Sequence, residues 1–224
     1  LCKEELMKKK RNQLENKALI LGMILSGAKV SEAEFTFSSV SEGIAKYLVF
    51  LLKRVYKYNA NIEEANIQSS KFLHTYNVVC SGALNILEDL EVHNFGEFKK
   101  QIEESDNLAA SYICGAFLAR GSVNDPETSK YHFEITLDDP KNVTFVQHVM
   151  NERSFNAKII KRRNRLVLYL KEAEKIVDII RFIGANNQAF LYEDLRIERD
   201  FNNSINRIIN CEVDKKQKTI SAAR

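Results

Sequence analysis

Two rhythms of apolar residues alternate along this chain, and they alternate in the same order twice. LENKALILGMILSG (14–27) and LAASYICGAFLAR (108–120) carry apolar side chains around most of a helical circumference. Helices buried on several sides show this pattern. EFTFSSV (34–40) and YHFEITL (131–137) instead alternate with period two, which predicts half-buried strands. Helical spacing returns in residues 41–58 and 139–155, opened by the N-cap candidates Ser41 and Asp139, the latter followed by Pro140. A strand pair then follows in each copy, NANIEEANI with HTYNVVC and NAKIIKR with RLVLYLK. Each copy closes on a short amphipathic helix, ALNILEDLEVHNF or EAEKIVDIIRFIG, and one further short strand is expected near Lys29–Ser31 and near Val123–Asp125.

The duplication extends to residue identity. LGMILSGAKV (21–30) aligns with CGAFLARGSV (114–123) at an offset of 93, and YNANI (58–62) aligns with FNAKI (155–159) at an offset of 97. The expected fold is therefore α+β, with two pseudo-twofold halves of antiparallel sheet and helix spanning residues 14–98 and 107–184. Residues 185–224 read as a helical linker, with a polar joint at Asn202, Asn203, Ser204 and Asn206 where the helix could break. Gly22, Ser26, Gly27 and Ala28 match Gly115, Ala119 and Gly121, small residues suited to a close crossing of two helix backbones. Gly22 should superpose on Gly115, and Asn59 on Asn156.

Composition adds little to this picture. The chain has 224 residues, of which 45% are hydrophobic and 28% charged, as in ordinary globular proteins. Its longest apolar run, ALILGMIL (18–25), is too short to span a bilayer, so no membrane role is expected and the cytoplasm is the default location. Cys2, Cys80, Cys114 and Cys211 stand far apart and read as reduced core thiols; the four histidines are equally scattered, so neither a metal nor a cofactor is expected. The net charge of +3 falls entirely in residues 106–224.

The paired helices and sheets resemble the LAGLIDADG homing-endonuclease fold, with Ile113–Ser122 keeping the apolar face and small residues of the motif and Ile20–Lys29 keeping fewer. The resemblance implies a saddle over DNA, and it implies a metal-holding carboxylate in the last turn of each helix. Those positions hold Gly27 and Arg120. A hard divalent cation needs oxygen ligands, so a catalytically silent copy is expected unless Glu32, Glu34 or Asp125 substitutes. GAFLARGSVNDPE, YHFEI, NAKIIKRRNRLVLYLKEAEKI, RFIGANNQ and NSINRIINCE, in that order, are similar to the WhiA family of bacterial sporulation and cell-division transcription regulators. That resemblance implies a nucleoid-associated, DNA-binding regulator with a partner in the transcription machinery. It also implies a helix-turn-helix domain beyond a fragment such as this one.

Lys158, Lys161, Arg162, Arg163 and Arg165 form the densest basic cluster, on a strand–turn–strand, and with Arg120 they are the candidate DNA contacts. The same charges could instead keep an edge strand from pairing with neighbours. Glu63 and Glu64 occupy the matching place in the first half and oppose a symmetric grip on a duplex. The readings carried forward are a regulator's DNA-contacting or scaffold domain, a protein-interaction or ligand-sensing module, and an active endonuclease.

Overall fold

The computed structural model describes residues 1–66, 74–124, 127 and 131–222. One run of elements occurs twice. In the first half α2 (Gln13–Gly27) passes directly into β1 (Ala28–Val30), followed by β2 (Phe35–Ser39), α3 (Glu42–Tyr56), β3 (Asn61–Asn66), β4 (His74–Cys80) and α4 (Leu84–Asp89). The second half repeats this as α6 (Asp106–Arg120), β5 (Gly121–Val123), β6 (Phe133–Leu137), α7 (Pro140–Asn151), β7 (Lys158–Arg162), β8 (Arg165–Leu170) and α8 (Ala173–Ile183). Outside the repeat lie α1 (Cys2–Lys8), α5 (Glu97–Glu104) and α9 (Asn186–Ala222).

Both sheets are antiparallel, with orders β1-β2-β4-β3 and β5-β6-β8-β7. Their registers agree residue by residue: Ile62 pairs with Val78 and Val78 with Phe37, as Ile159 pairs with Leu168 and Leu168 with Ile135. The YNANI and FNAKI anchors therefore sit at one point of the repeat, ahead of β3 and β7. Just before them the chain leaves its helix through a left-handed residue in each half, Lys57 (φ 57°) and Ser154 (φ 59°). Asn156 is left-handed as well (φ 57°), a conformation asparagine tolerates better than most residues.

Local chemistry sets the helix ends. Asn12 accepts the Glu15 N–H at 2.8 Å while Glu15 accepts the Asn12 N–H at 3.1 Å, a reciprocal cap on α2. Asp139 accepts the Lys141 and Asn142 N–H groups at 3.1 Å each, with Pro140 in the first turn of α7. Ser41 occupies the expected N-cap of α3, but its side chain makes no cap hydrogen bond.

The core is organised by the crossing of α2 on α6. A Cβ at Gly22 would land on the Tyr112 carbonyl, and a Cβ at Gly115 would land on the Leu19 carbonyl. The two contacts exchange under the repeat offset, so the helices meet backbone to backbone across a pseudo-twofold axis. Beside the crossing, the buried Tyr112 hydroxyl donates to Asn142 Oδ1 at 2.6 Å, and Asn142 Nδ2 donates to the Leu25 carbonyl at 2.9 Å. Second-half side chains thereby satisfy a carbonyl in the last turn of α2 that has no partner within its own helix.

Three features depart from the sequence reading. The element expected over 83–95 is helical only as α4; residues 90–96 turn, and a separate helix, α5, follows, its N-terminal Glu97 and Phe98 N–H groups received by the Glu91 carboxylate at 3.1 and 2.8 Å. The helix does not break at Asn202–Asn206: α9 is continuous, Ser204 Oγ donating to the Asp200 carbonyl at 2.8 Å. Asparagine in a helix costs only about 0.7 kcal/mol relative to alanine, too little to interrupt the ladder. Cys2, Cys80 and Cys114 are buried thiols, but Cys211 is exposed, because α9 extends beyond the core that would cover it. Asp125 lies outside the described residues.

Gly115→Ala tests the crossing. Alanine favours a helix over glycine by about 1 kcal/mol, whereas overpacking against backbone costs about 1–3 kcal/mol or more. The clash should win, lowering the thermal midpoint by several degrees, and Gly22→Ala should do the same; a raised midpoint in both would refute the close approach.

Candidate nucleic-acid interface

Strand alternation decides which basic residues share a surface. Facing away from the helices, the second sheet presents Lys158 beside Tyr169 and Glu134, then Ile160 beside Val167 and Thr136, then Arg162 beside Arg165. Lys161 pairs with Leu166 and so points to the helix side, exposed at the end of the strand. Arg163 occupies the two-residue turn between β7 and β8 in a left-handed conformation (φ 57°). The five cations therefore divide into three on the outer face, one at the tip and one on the reverse.

Not all of that charge is available. Arg162 is 3.4 Å from the Glu134 carboxylate, and Arg165 is 3.5 Å from that of Asp138. Glu134 also meets the His132 ring at 3.0 Å, that ring stacks on Tyr169, and Lys171 Nζ lies 5.2 Å from the Tyr169 ring centroid. Among the described residues Lys158, Lys161 and Arg163 have no ion-pair partner. The outer face is thus a basic edge with an aromatic and acidic centre. Glu134, His132 and Tyr169 were not among the sequence candidates, although the polar positions of YHFEITL and RLVLYLK already marked outward-facing residues.

At the equivalent positions the first sheet presents Asn61, Glu63 and Ala65 in place of Lys158, Ile160 and Arg162. Glu64 pairs with Tyr76 and lies 3.0 Å from the His74 ring. One half is neutral to acidic where the other is basic.

Arg120 lies elsewhere. It ends α6 immediately before β5, the edge strand opposite β7, so it stands about three strand spacings, roughly 14 Å, from the basic hairpin. Gly27, its counterpart on α2, packs against Phe37 and Ala119. A glycine and a cation do not fit a divalent metal between the helix ends. Glu32 and Glu34 are exposed beyond the end of α2, and no group of three or more potential ligands occurs among the described residues. Beside Arg120, Lys3 Nζ donates to the Leu118 carbonyl at 3.1 Å and rests 5.5 Å from the Phe117 ring centroid. Burial, with the Arg120 charge nearby, lowers the Lys3 pKa from 10.5 to about 8.

A family model described as the WhiA LAGLIDADG-like domain matches residues 109–202. Proteins of Staphylococcus aureus strains JH9 and Newman, each described as a probable cell division protein WhiA, are 36% identical to the chain over 232 residues, covering 99% of it and 73% of their own length. Among solved structures, full-length DUF199/WhiA from Thermatoga maritima superposes with a TM-score of 0.71 at 23% identity, over 95% of this chain and 72% of that one. The N-terminal LAGLIDADG domain of DUF199/WhiA gives 0.66 at 23% identity, over 82% and 88%. The homing endonuclease I-DmoI in complex with DNA and Mn gives 0.51 at 14% identity, over 77% and 97%, a likeness of fold. No helix among the described residues is long and apolar enough to cross a membrane.

Lys3 supplies a pH test. Its folded pKa lies below the unfolded value, so the unfolded chain binds the extra proton between about pH 8 and pH 10.5 and stability rises with pH there. The buried thiols of Cys2 and Cys80, raised by burial from 9.0 to about 12, act oppositely: their stabilisation is full below pH 9 and is lost above it. Denaturation midpoints of the chain should therefore gain on those of Lys3→Met from about pH 7.5 to pH 9. Parallel pH profiles would show that Lys3 is not desolvated.

Proposed function

The chain belongs to the WhiA family, and from that premise we propose that it is a catalytically silent homing-endonuclease-like domain of a bacterial DNA-binding regulator of sporulation and cell division. The observation that carries the proposal is the pair Gly27 and Arg120 at the helix ends, where the fold's nuclease chemistry would need carboxylates. In this reading residues 14–98 and 107–184 are the two halves, and residues 185–224 link them to a helix-turn-helix reader. The domain acts at the nucleoid, with a partner in the transcription machinery.

DNA contact is assigned to the second half alone, through Lys158, Lys161, Arg162, Arg163 and Arg165. Lys158 on the outer face and Arg163 at the tip, neither ion-paired among the described residues, support contact with a few phosphates. The acids on the first sheet oppose a symmetric grip. Such contact is weak and carries no sequence preference, because phosphate contacts position a protein without reading bases. A protein-interaction role is the second reading, favoured by the exposed apolar side chains of Phe201, Ile205 and Ile208 on α9.

Duplex DNA incubated with the protein and Mg²⁺ or Mn²⁺ should remain intact, as read on a denaturing gel. Specific cleavage that disappears in Glu32→Gln or Glu34→Gln would overturn the silent reading. Each neutralised phosphate contributes about −0.9 to the slope of log affinity against log salt. Replacing Arg162, Arg163 and Arg165 together by alanine should flatten that slope by about 1 to 2, less than three full contacts, because two of the arginines already face carboxylates. An unchanged slope would remove the hairpin from the interface.

A further inference from the structure

At the C-terminal end of α6 a cavity of about 810 Å³ opens between the two halves, bounded by the first turn of α1, the corner from β2 into α3, and the first turns of α9. Lys3 and Arg120 both line it. Neither is ion-paired with any described residue, and Arg120 Nε is buried without a hydrogen-bond acceptor. The N-terminus of α3 also reaches the cavity through Ser41 and Ile44, and Ser41 is the cap residue whose hydroxyl serves no cap bond. Two cations without an ion pair among the described residues, one of them with a buried guanidinium N–H lacking an acceptor, converge on one space with a helix N-terminus that has no side-chain cap. Each carries a desolvation or dipole cost that an oxyanion would relieve.

The pseudo-twofold mate of this cavity is an internal control. There Leu25 takes the place of Leu118 and Asp139–Asn142 that of Ser41–Ile44, in a cavity of about 860 Å³. Burial lowers the pKa of its cation, Lys99, as it does that of Lys3, and Lys99 donates to the Asn94 carbonyl at 2.6 Å as Lys3 does to that of Leu118. The difference is that Glu91 and Asp139 stand near Lys99 and act in the opposite sense to burial. The N-terminus facing it is capped by the Asp139 carboxylate. In the mate, carboxylates accompany the buried cation and the helix N-terminus. Among the described residues, the acids on the wall around Lys3 and Arg120 are Glu4, two-thirds exposed and 4.0 Å from the Leu1 nitrogen, and Glu127.

We propose that this cavity is a binding site for a phosphate-bearing ligand of nucleotide size, its phosphate held between Lys3, Arg120 and the first turn of α3. The volume lies in the range of small-ligand sites and far exceeds a lone phosphate. Apolar wall is supplied by Val40 and Leu191, and Arg and Lys in combination suit a phosphate's several oxygens. The ligand touches both halves and the root of α9, so its binding ties the long helix to the body. The phosphate belongs either to a free nucleotide or to a DNA strand entering at the helix ends.

The test is an amide NMR titration of the intact chain with AMP, with adenosine as the control. AMP should shift the Gly121, Ser122, Glu42 and Gly43 amides and adenosine should not. Arg120→Gln and Lys3→Met should each weaken AMP at least tenfold, and Arg120→Lys should retain part of the affinity. Lys3→Met removes a desolvated charge and so guards against loss by misfolding. A duplex that displaces AMP identifies the phosphate as DNA backbone; a duplex that binds alongside identifies a free nucleotide. Equal shifts with adenosine, AMP shifts confined to residues 158–165, or undiminished AMP binding in both variants would each overturn the proposal. The salt slope of the hairpin variant is read independently, so either idea can fail alone.

Discussion

Everything in this molecule is placed by one contact, the approach of two helix backbones at Gly22 and Gly115. Because each glycine faces the other helix's carbonyl, the crossing is fixed from both sides and tolerates no side chain. Each helix continues without a loop into the first strand of its own sheet, so the crossing also sets where the two sheets stand. The hydrogen bonds from Tyr112 to Asn142 and from Asn142 to Leu25 then pin the second half's α7 to the end of α2. Interior packing of this density transmits geometry well, and it makes the core the least negotiable part of the chain.

On that symmetric frame the surface is asymmetric. The two sheets agree in order and register, yet their outer faces carry different chemistry, Asn61 and Glu63 against Lys158 and Ile160. The same holds at the helix ends, where one side offers Gly27 packed on Phe37 and the other a cationic cavity. Core positions must satisfy the same packing in both copies, whereas solvent-facing positions are free to diverge. The positions that match carry the fold, and those that differ carry the chemistry of the surface.

Much of the architecture was legible from residues alone because it rests on periodicity. LGMILSGAKV and CGAFLARGSV expose the paired helices, and YNANI and FNAKI fix the strand register through the left-handed exits at Lys57 and Ser154. What stayed hidden depends on contacts distant in sequence. The capping of α5 by Glu91 leaves no local signature, since the acid comes from outside the helix. The division of Lys158 to Arg165 between two faces and a turn needs the exact hairpin register, and the pairing of Arg162 with Glu134 spans 28 positions. Lys3 escaped notice entirely: a lone lysine in a basic opening segment looks solvated, and only the fold brings it under α6.

The continuity of α9 has a mechanical consequence. Its first turn is held by Glu5, whose carboxylate accepts the Asn187 and Gln188 N–H groups at 2.8 and 3.1 Å, while its side chains from Phe201 onward, so far as they are described, are exposed. The exposed portion is a rod of about 33 Å at 1.5 Å per residue, so a rotation of about 5° at the root sweeps its tip by about 3 Å. A displacement at the anchored end too small to disturb the core is thereby amplified into one that resets what the far end can reach.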